Sequence, residues 1–262
     1  MIVDAHCHVD FAPDAVALAR GIVQAGGALS GTCDPRDFEA ATRAFAPLFP
    51  CIRVGLGLHP WWVADGTCEE GEIALFERLA PKARLISEVG LDFQPRRAGT
   101  EDAQTEAFRR VCLAAAHPFE GEPSGARRVM SLHSSAAAAR VLDVLEETGC
   151  TRACTCIFHW FSGSQEELSR ALDAGCLFSV GERMLSTKRG RAYARAIPRA
   201  RLLLETDAPA KRGDALSPQA HAAQLSRTLA LLARAREEDA RELEAAIERT
   251  QAGLFSQGRP LA

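Results

Sequence analysis

The sequence predicts an α/β protein, a single-domain (β/α)8 TIM barrel over residues 1–262 with an extra C-terminal helix. Three observations lead there. Short apolar runs alternate with longer amphipathic stretches along the chain, the pattern of buried parallel strands and their crossover helices. Eight such units in 262 residues match the size of a barrel. No linker, low-complexity segment or shift in composition divides them. A doubly wound open sheet is the structural alternative, but it rarely needs eight regular units.

Taken in order, the predicted strands are residues 2–6, 28–33, 52–58, 84–89, 129–133, 154–159, 176–180 and 201–206. Helical patterns fall between them at 14–25, 37–46, 100–116, 136–147, 165–174, 187–196 and 218–234. Val141, Val144 and Leu145 show the spacing of one helix face. Residues 237–255 form the extra closing helix, and their acidic stretch to Glu248 is a solvated face. The Pro- and Gly-rich stretch 117–128 precedes the fifth strand, so it is a loop on the face remote from chemistry.

Composition excludes several classes. Charged residues make up 25% and hydrophobic residues 47%, ordinary for a globular protein with a full core. The net charge of −3 makes no general trap for nucleic acid. One Tyr and three Trp give few aromatic platforms, which counts against a surface built to stack bases. Nine scattered cysteines without a C-x-x-C pair read as reduced thiols. Cys150, Cys154 and Cys156 cluster, and are read as core residues. Met1-Ile2-Val3-Asp4 lacks the basic and apolar regions of a signal peptide, and no apolar run approaches the ~20 residues of a bilayer span. The expectation is a cytoplasmic protein without a membrane or an obligate protein partner.

The chemistry-bearing residues fall at strand ends. His6 and His8 are two apart on the first strand, so both point to one face; Asp4 is expected to share it and Cys7 to face away. Glu88 closes the fourth strand, His133 the fifth and His159 the sixth, with Asp207 after the eighth. In a parallel barrel these ends share one rim, where barrel enzymes build their sites. Ionisable groups there are costly to bury unless paired or bound to metal. Four imidazoles and two carboxylates are too many for one tetrahedral zinc with an open position. They suit two divalent ions about 3.5–4 Å apart, sharing a carboxylate and a hydroxide. Two such ions against two carboxylates leave a site of roughly +2, which favours an anionic substrate.

Five segments now carry a resemblance. Asp4-Ala5-His6-Cys7-His8, Gly57-Leu58-His59-Pro60 and Ser87-Glu88-Val89-Gly90-Leu91-Asp92 are followed by His159-Trp160-Phe161-Ser162-Gly163-Ser164 and Glu205-Thr206-Asp207-Ala208-Pro209. In order and spacing this series resembles the TatD-family metal-dependent hydrolases, amidohydrolase-like barrels whose characterised members are divalent-metal deoxyribonucleases. The resemblance implies that His6, His8, Glu88 and Asp207 surround one ion. Glu88 then bridges to a second, completed by His133 and His159. It further implies Asp207 as general base, Glu205 as a supporting or substrate-side carboxylate, and His59 beside the substrate phosphate. The ions would be Zn, Mg or Mn, and the partner a DNA substrate.

The chain departs from that pattern in places. Ser135 stands where many members carry Arg, two residues after the fifth-strand His. Ala210-Lys211-Arg212-Gly213-Asp214-Ala215 replaces a segment containing Asn-Glu-Pro, and Thr250 replaces a frequent Asn. From Arg183 to Arg212 nine basic residues face only Glu205 and Asp207. Of these, Arg183, Lys188 and Arg189 follow the seventh strand, and Lys211 and Arg212 the eighth, loops that often bind phosphate. Arg183, Lys211 and Arg212 are therefore the expected substrate contacts, whereas Arg191, Arg195 and Arg199 are assigned to a solvated helix face. Two other readings stand beside phosphodiester hydrolysis. One is cleavage of an amide, ester or lactone; the other is a metallated binding scaffold without catalysis.

Overall fold

The computed structural model describes residues 1–121 and 127–255, the side chain of Phe255 excepted. Residues 122–126, in the stretch read as a loop, lie outside the described residues. The strands are β1 (Asp4–Cys7), β2 (Ala28–Gly31), β3 (Ile52–Leu58), β4 (Leu85–Asp92), β5 (Arg128–Ser135), β6 (Cys154–His159), β7 (Leu177–Val180) and β8 (Leu202–Leu204). They pair in parallel in sequence order, and β8 returns to β1 through Leu204 and Asp4, closing a barrel.

The helices wrap this barrel as α1 (Ala15–Ala25), α2 (Pro35–Phe45), α3 (Pro60–Ala64), α4 (Glu70–Leu79), α5 (Glu101–Ala116) and α6 (Ala138–Glu147). They continue as α7 (Cys150–Ala153), α8 (Gln165–Asp173), α9 (Glu182–Ser186), α10 (Lys188–Ala196), α11 (Pro218–Arg236) and α12 (Ala240–Phe255). Local chemistry sets several starts. Asp34 accepts from Arg36 N before Pro35, and Ser217 accepts from Ala220 N before Pro218. Ser164 and Glu167 form a reciprocal capping box on α8. Glu237 does not open the last helix as expected. It closes α11 in a left-handed conformation at φ 56°, and α12 begins three residues later.

The lower barrel is filled by Ala5, Leu29, Leu85, Val129, Ile157, Leu177 and Leu203, from seven different strands, with Leu254 of α12 against them. Burying each branched side chain there is worth roughly 2 kcal/mol. Gln251 fastens α12 to the N-terminus by accepting from Val3 N and donating to Met1 O. Arg128, expected to end a surface loop, is instead the buried first residue of β5. Its guanidinium donates to the carbonyls of Ala80, Ala83, Ala114, Ala115 and His117, tying the base of β5 to the ends of α4 and α5. Arg195 and Arg199 are exposed and Arg191 partly so, as expected of an outer face, and all three are also tethered. They bond to Leu185 O, Ala235 O and Glu238 respectively.

Two expectations about strand ends are corrected. Glu88 and His133 do not close their strands, because β4 and β5 stay paired through Gly90↔His133, Leu91↔Ser134 and Asp92↔Ser135. Asp4 does not share the face of His6. The β1 register is irregular between Asp4 and Cys7. Asp4, Cys7 and His221 consequently cluster in the layer between barrel and helices. Asp4 is fully buried and accepts from His6 N, Thr206 N, Thr206 Oγ1 and His221 Nε2 at 3.1, 3.1, 2.6 and 2.8 Å. That carboxylate thus joins β1, the end of β8 and α11 at one point.

Two substitutions test these ties. Arg128→Met keeps the stem but leaves buried carbonyls without a donor, so stability should fall by at least about 3 kcal/mol. Asp4→Asn exchanges a charged acceptor for a mixed amide, and should cost about 2 kcal/mol. Urea unfolding measures both, and an unchanged midpoint would refute the assigned role.

Candidate metal centre

His6, His8, Glu88, His133, His159 and Asp207 converge on the upper interior of the barrel. His6 lies within β1 and His8 just beyond it, and their rings sit 5.1 Å apart. His6 stacks on His159 at 4.0 Å. Asp207 is three residues past β8, held at φ 54°, a left-handed conformation that Asp tolerates better than most residues. Its N–H donates to His6 O, and His8 N–H donates to Ala208 O. The β8 end is therefore laid against β1 by backbone bonds.

Glu88 occupies the centre. Its Oε2 lies 3.4, 3.3 and 3.3 Å from the Nε2 atoms of His6, His8 and His59. Its Oε1 lies 2.7 Å from His133 Nδ1 and 2.8 Å from His159 Nε2. Asp207 Oδ1 approaches His6 and His8 at 3.9 and 3.7 Å. A missing side chain makes this possible: a Cβ on Gly57 would stand 1.6 Å from Thr32 O and 2.8 Å from Glu88 N. Only glycine lets Glu88 N donate to Thr32 O at 2.8 Å across β3.

The outer ring nitrogens are anchored. His6 Nδ1 meets Ser131 Oγ at 2.8 Å, His8 Nδ1 meets Gly31 O at 2.9 Å, and His133 Nε2 meets Asp92 Oδ2 at 3.2 Å. Such partners fix ring orientation and tautomer in metal sites. His6 Nε2 is buried without a hydrogen-bond partner, and points at Glu88 and Asp207. An orphaned imidazole nitrogen among carboxylate oxygens suits a divalent cation. Overlapping groups of potential ligands are His6, Glu88 and His159; His6, His8 and Asp207; His8, Cys33 and Glu88; and His59, Glu88 and His133.

Charge is arranged to match. Burial opposes ionisation of Glu88, yet His59, His159 and His6 together hold its carboxyl well below the ordinary range. Burial, and then His159, pushes His6 down to about 4, leaving it neutral. Burial also opposes charge on His133, but Asp92 and Glu88 raise it to about 9. Burial works against Asp207 too, while His8 and His159 lower it to about 2. Glu205 moves the other way, raised well above its ordinary range by burial and next by Asp207.

The centre opens to the surface through two adjoining cavities. The smaller, about 310 Å³, is walled by His8, His59, Glu88, Asp207, Lys211 and Arg212, among others. The larger, about 700 Å³, extends sideways past Gln94, Ser135 and Arg189. Arg183 borders both and reaches Asp207 Oδ2 at 3.3 Å. Arg212 is tied to Asp37 at 2.8 Å and lies over the Phe11 ring. His59 is buried beside Glu88, and its Nδ1 accepts from Trp61 N. Glu205 lines neither cavity; it is buried, accepting from Ser179 Oγ and Trp160 N.

Sequence reasoning overlooked three features. Asp92 stood in a quoted motif but gained a role only through its contact with His133. His221 sits on α11, with no local signal tying it to Asp4. The count of three tryptophans argued against base stacking, yet Trp61, Trp62 and Trp160 all border the smaller cavity. Position, not number, decides. Among the nine cysteines all are free, and only Cys51 is not buried.

Comparison with known proteins agrees with this geometry. The family model described as TatD related DNase matches residues 3–256. A 3'-5' ssDNA/RNA exonuclease TatD from Klebsiella pneumoniae is 30% identical over 251 residues, covering 92% of this chain and 90% of that one. Deoxyribonuclease TATDN3 of Homo sapiens is 28% identical over 170 residues, and the match spans 62% of this chain but 58% of that protein. The crystal structure of YJJV, a TatD homolog from Escherichia coli, superposes with a TM-score of 0.73 at 24% identity, covering 98% of each chain. No helix among the described residues is long and apolar enough to cross a membrane. With its eight-stranded barrel and rim cluster of histidines and carboxylates, the chain belongs to the TatD-related DNase family of metal-dependent hydrolases.

Proposed function

We propose that this protein hydrolyses phosphodiester bonds in DNA, using two divalent ions held by His6, His8, Glu88, His133, His159 and Asp207. The observation that carries the reading is the division of Glu88: Oε2 faces His6 and His8, and Oε1 faces His133 and His159. A carboxylate with a separate imidazole set at each oxygen is suited to bridging two ions. Imidazole-rich ligation favours Zn2+ over Mg2+, which prefers oxygen ligands. Bound ions would supply Lewis-acid stabilisation of the phosphoryl oxygens and lower the pKa of a water.

The remaining steps belong to the chain's own groups. Asp207 is ionised and opens on the smaller cavity, so it can orient an attacking water and accept its proton. Arg183, 3.3 Å from Asp207, presents a cation to the non-bridging oxygens as charge builds. Glu205 acts as a positioning residue beneath the loop, and His59 borders the phosphate. The absence of Arg at Ser135 does not leave that side neutral. Ser135 Oγ accepts from Gln94 Nε2, and Arg96 of the β4 loop lines the same cavity as Ser135. This supply of cations favours a phosphodiester over a neutral amide or ester.

Zn2+ or Mn2+ added to chelated protein should raise the thermal midpoint, by about 2.7 kcal/mol of stabilisation at a hundredfold excess over Kd. Glu88→Gln should lose most of that shift. A scan in which added metal moves neither protein would exclude the ligand set. Asp207→Asn should retain the fold by circular dichroism and cleave single-stranded DNA at least about 100-fold more slowly. Undiminished cleavage would sink the general-base role. Turnover of carboxylic esters or cyclic amides, with no nucleic acid cut under any ion, would overturn the phosphodiester reading.

A further inference from the structure

The larger cavity extends beyond the groups to which the chemistry was just assigned, and its walls have a consistent character. It shares Trp61, His133, His159, Trp160 and Arg183 with the smaller cavity, so a ligand spanning both would cross the centre. Its cations are Arg96, Arg183 and Arg189. Its one acid is Asp92, which is buried and already engaged by Trp61 and His133. Ser134, Ser135 and Thr187 add hydroxyls. At about 700 Å³ it falls within the size of small-molecule sites.

Trp160 is its distinctive wall. Among the described residues the exposed large hydrophobic side chains are Met1, Leu113, Trp160 and Leu231, and of these Trp160 alone borders either cavity. Its backbone is left-handed at φ 40°, a conformation unfavourable for a bulky residue. The surrounding structure imposes it: Trp160 N–H donates to Glu205 Oε1 at 3.1 Å and to Ser179 O at 3.2 Å. An interior carboxylate thereby holds an indole out at the junction of the cavities, with the Arg183 guanidinium 5.3 Å from its ring centre.

We propose that the larger cavity is a nucleobase subsite, in which the base next to the scissile phosphate stacks on Trp160 and the following phosphate meets Arg189. A flat aromatic wall with surrounding cations and little free acid is complementary to a base joined to phosphate. The subsite rests on the reading of the protein as a nuclease. It deepens that reading by assigning the contact with that base to Trp160, a contact made with little regard to sequence because every base has a stacking face.

Equilibrium binding tests it separately from cleavage. Fluorescein-labelled single-stranded trinucleotides with hydrolysis-resistant phosphorothioate linkages are titrated with Zn2+-loaded protein, and binding is followed by anisotropy. One probe carries all its bases, and two others are abasic at either end. The unaltered protein should bind the full probe about tenfold more tightly than one of the abasic probes. Trp160→Ala should erase that difference, and Trp160→Phe should restore most of it. Arg189→Ala should weaken all probes and reduce the salt slope by about one. A base-dependent difference that survives Trp160→Ala, or its absence in the unaltered protein, would overturn the subsite. Failure to cleave DNA would refute the nuclease reading alone, since the anisotropy comparison decides the subsite without turnover.

Discussion

A carboxylate buried at the centre of a barrel, surrounded by imidazoles, is the constraint around which this molecule is organised. Glu88 is almost wholly removed from water, and an isolated charge there would be prohibitive. Five histidines converge on its two oxygens, and each buried ring withdraws a polar nitrogen from water as well. The cluster is stable only if its geometry is exact enough for every polar atom to find a partner or a cation. His6 Nε2 and His159 Nδ1, both buried and without a hydrogen bond, are atoms for which the protein by itself does not provide one.

Much of the surrounding structure serves that geometry. Gly57 removes a side chain so that β4 can place Glu88 against Thr32. Ser131, Gly31 and Asp92 turn three rings from behind. Asp4 works from the far side of β1, where its carboxylate gathers the backbone of His6, both polar groups of Thr206, and His221. The segment carrying Asp207 is thereby pinned to the strand carrying His6. The apolar lower barrel and the Arg128 clasp stabilise the opposite end without touching the centre.

The loops above the rim set what can reach it. Charge that would come from an arginine at position 135 arrives instead from Arg96 of the β4 loop and from Arg183 after β7, which line the same cavity as Ser135. Arg96 lies 4.9 Å from the centre of the Trp61 ring and both line the larger cavity, so cation and aromatic wall are built together. The same coupling recurs at Trp160 and Arg183. Both pairs border the entrance to the proposed ion site, and both support a substrate that is anionic and aromatic at once.

The barrel was legible because eight apolar runs at regular intervals are a one-dimensional signal, and parallel pairing in sequence order follows from short right-handed crossovers. The grouping of His6, His8, Glu88, His133, His159 and Asp207 was legible for the same reason: residues near strand ends share a rim whatever the side-chain detail. The face taken by Asp4 was not. It depends on an irregularity in the β1 register, which strand alternation cannot anticipate. His221 and Asp4 stand 217 positions apart, and only the packing of α11 on the barrel makes them partners. The value of three tryptophans also changed once all were seen at one opening. The sequence by itself determined which residues carry the chemistry and that they meet, because periodicity and order are local. Tertiary structure decided how they are oriented, which are supported from behind and what surrounds the entrance, because those are contacts between segments distant along the chain.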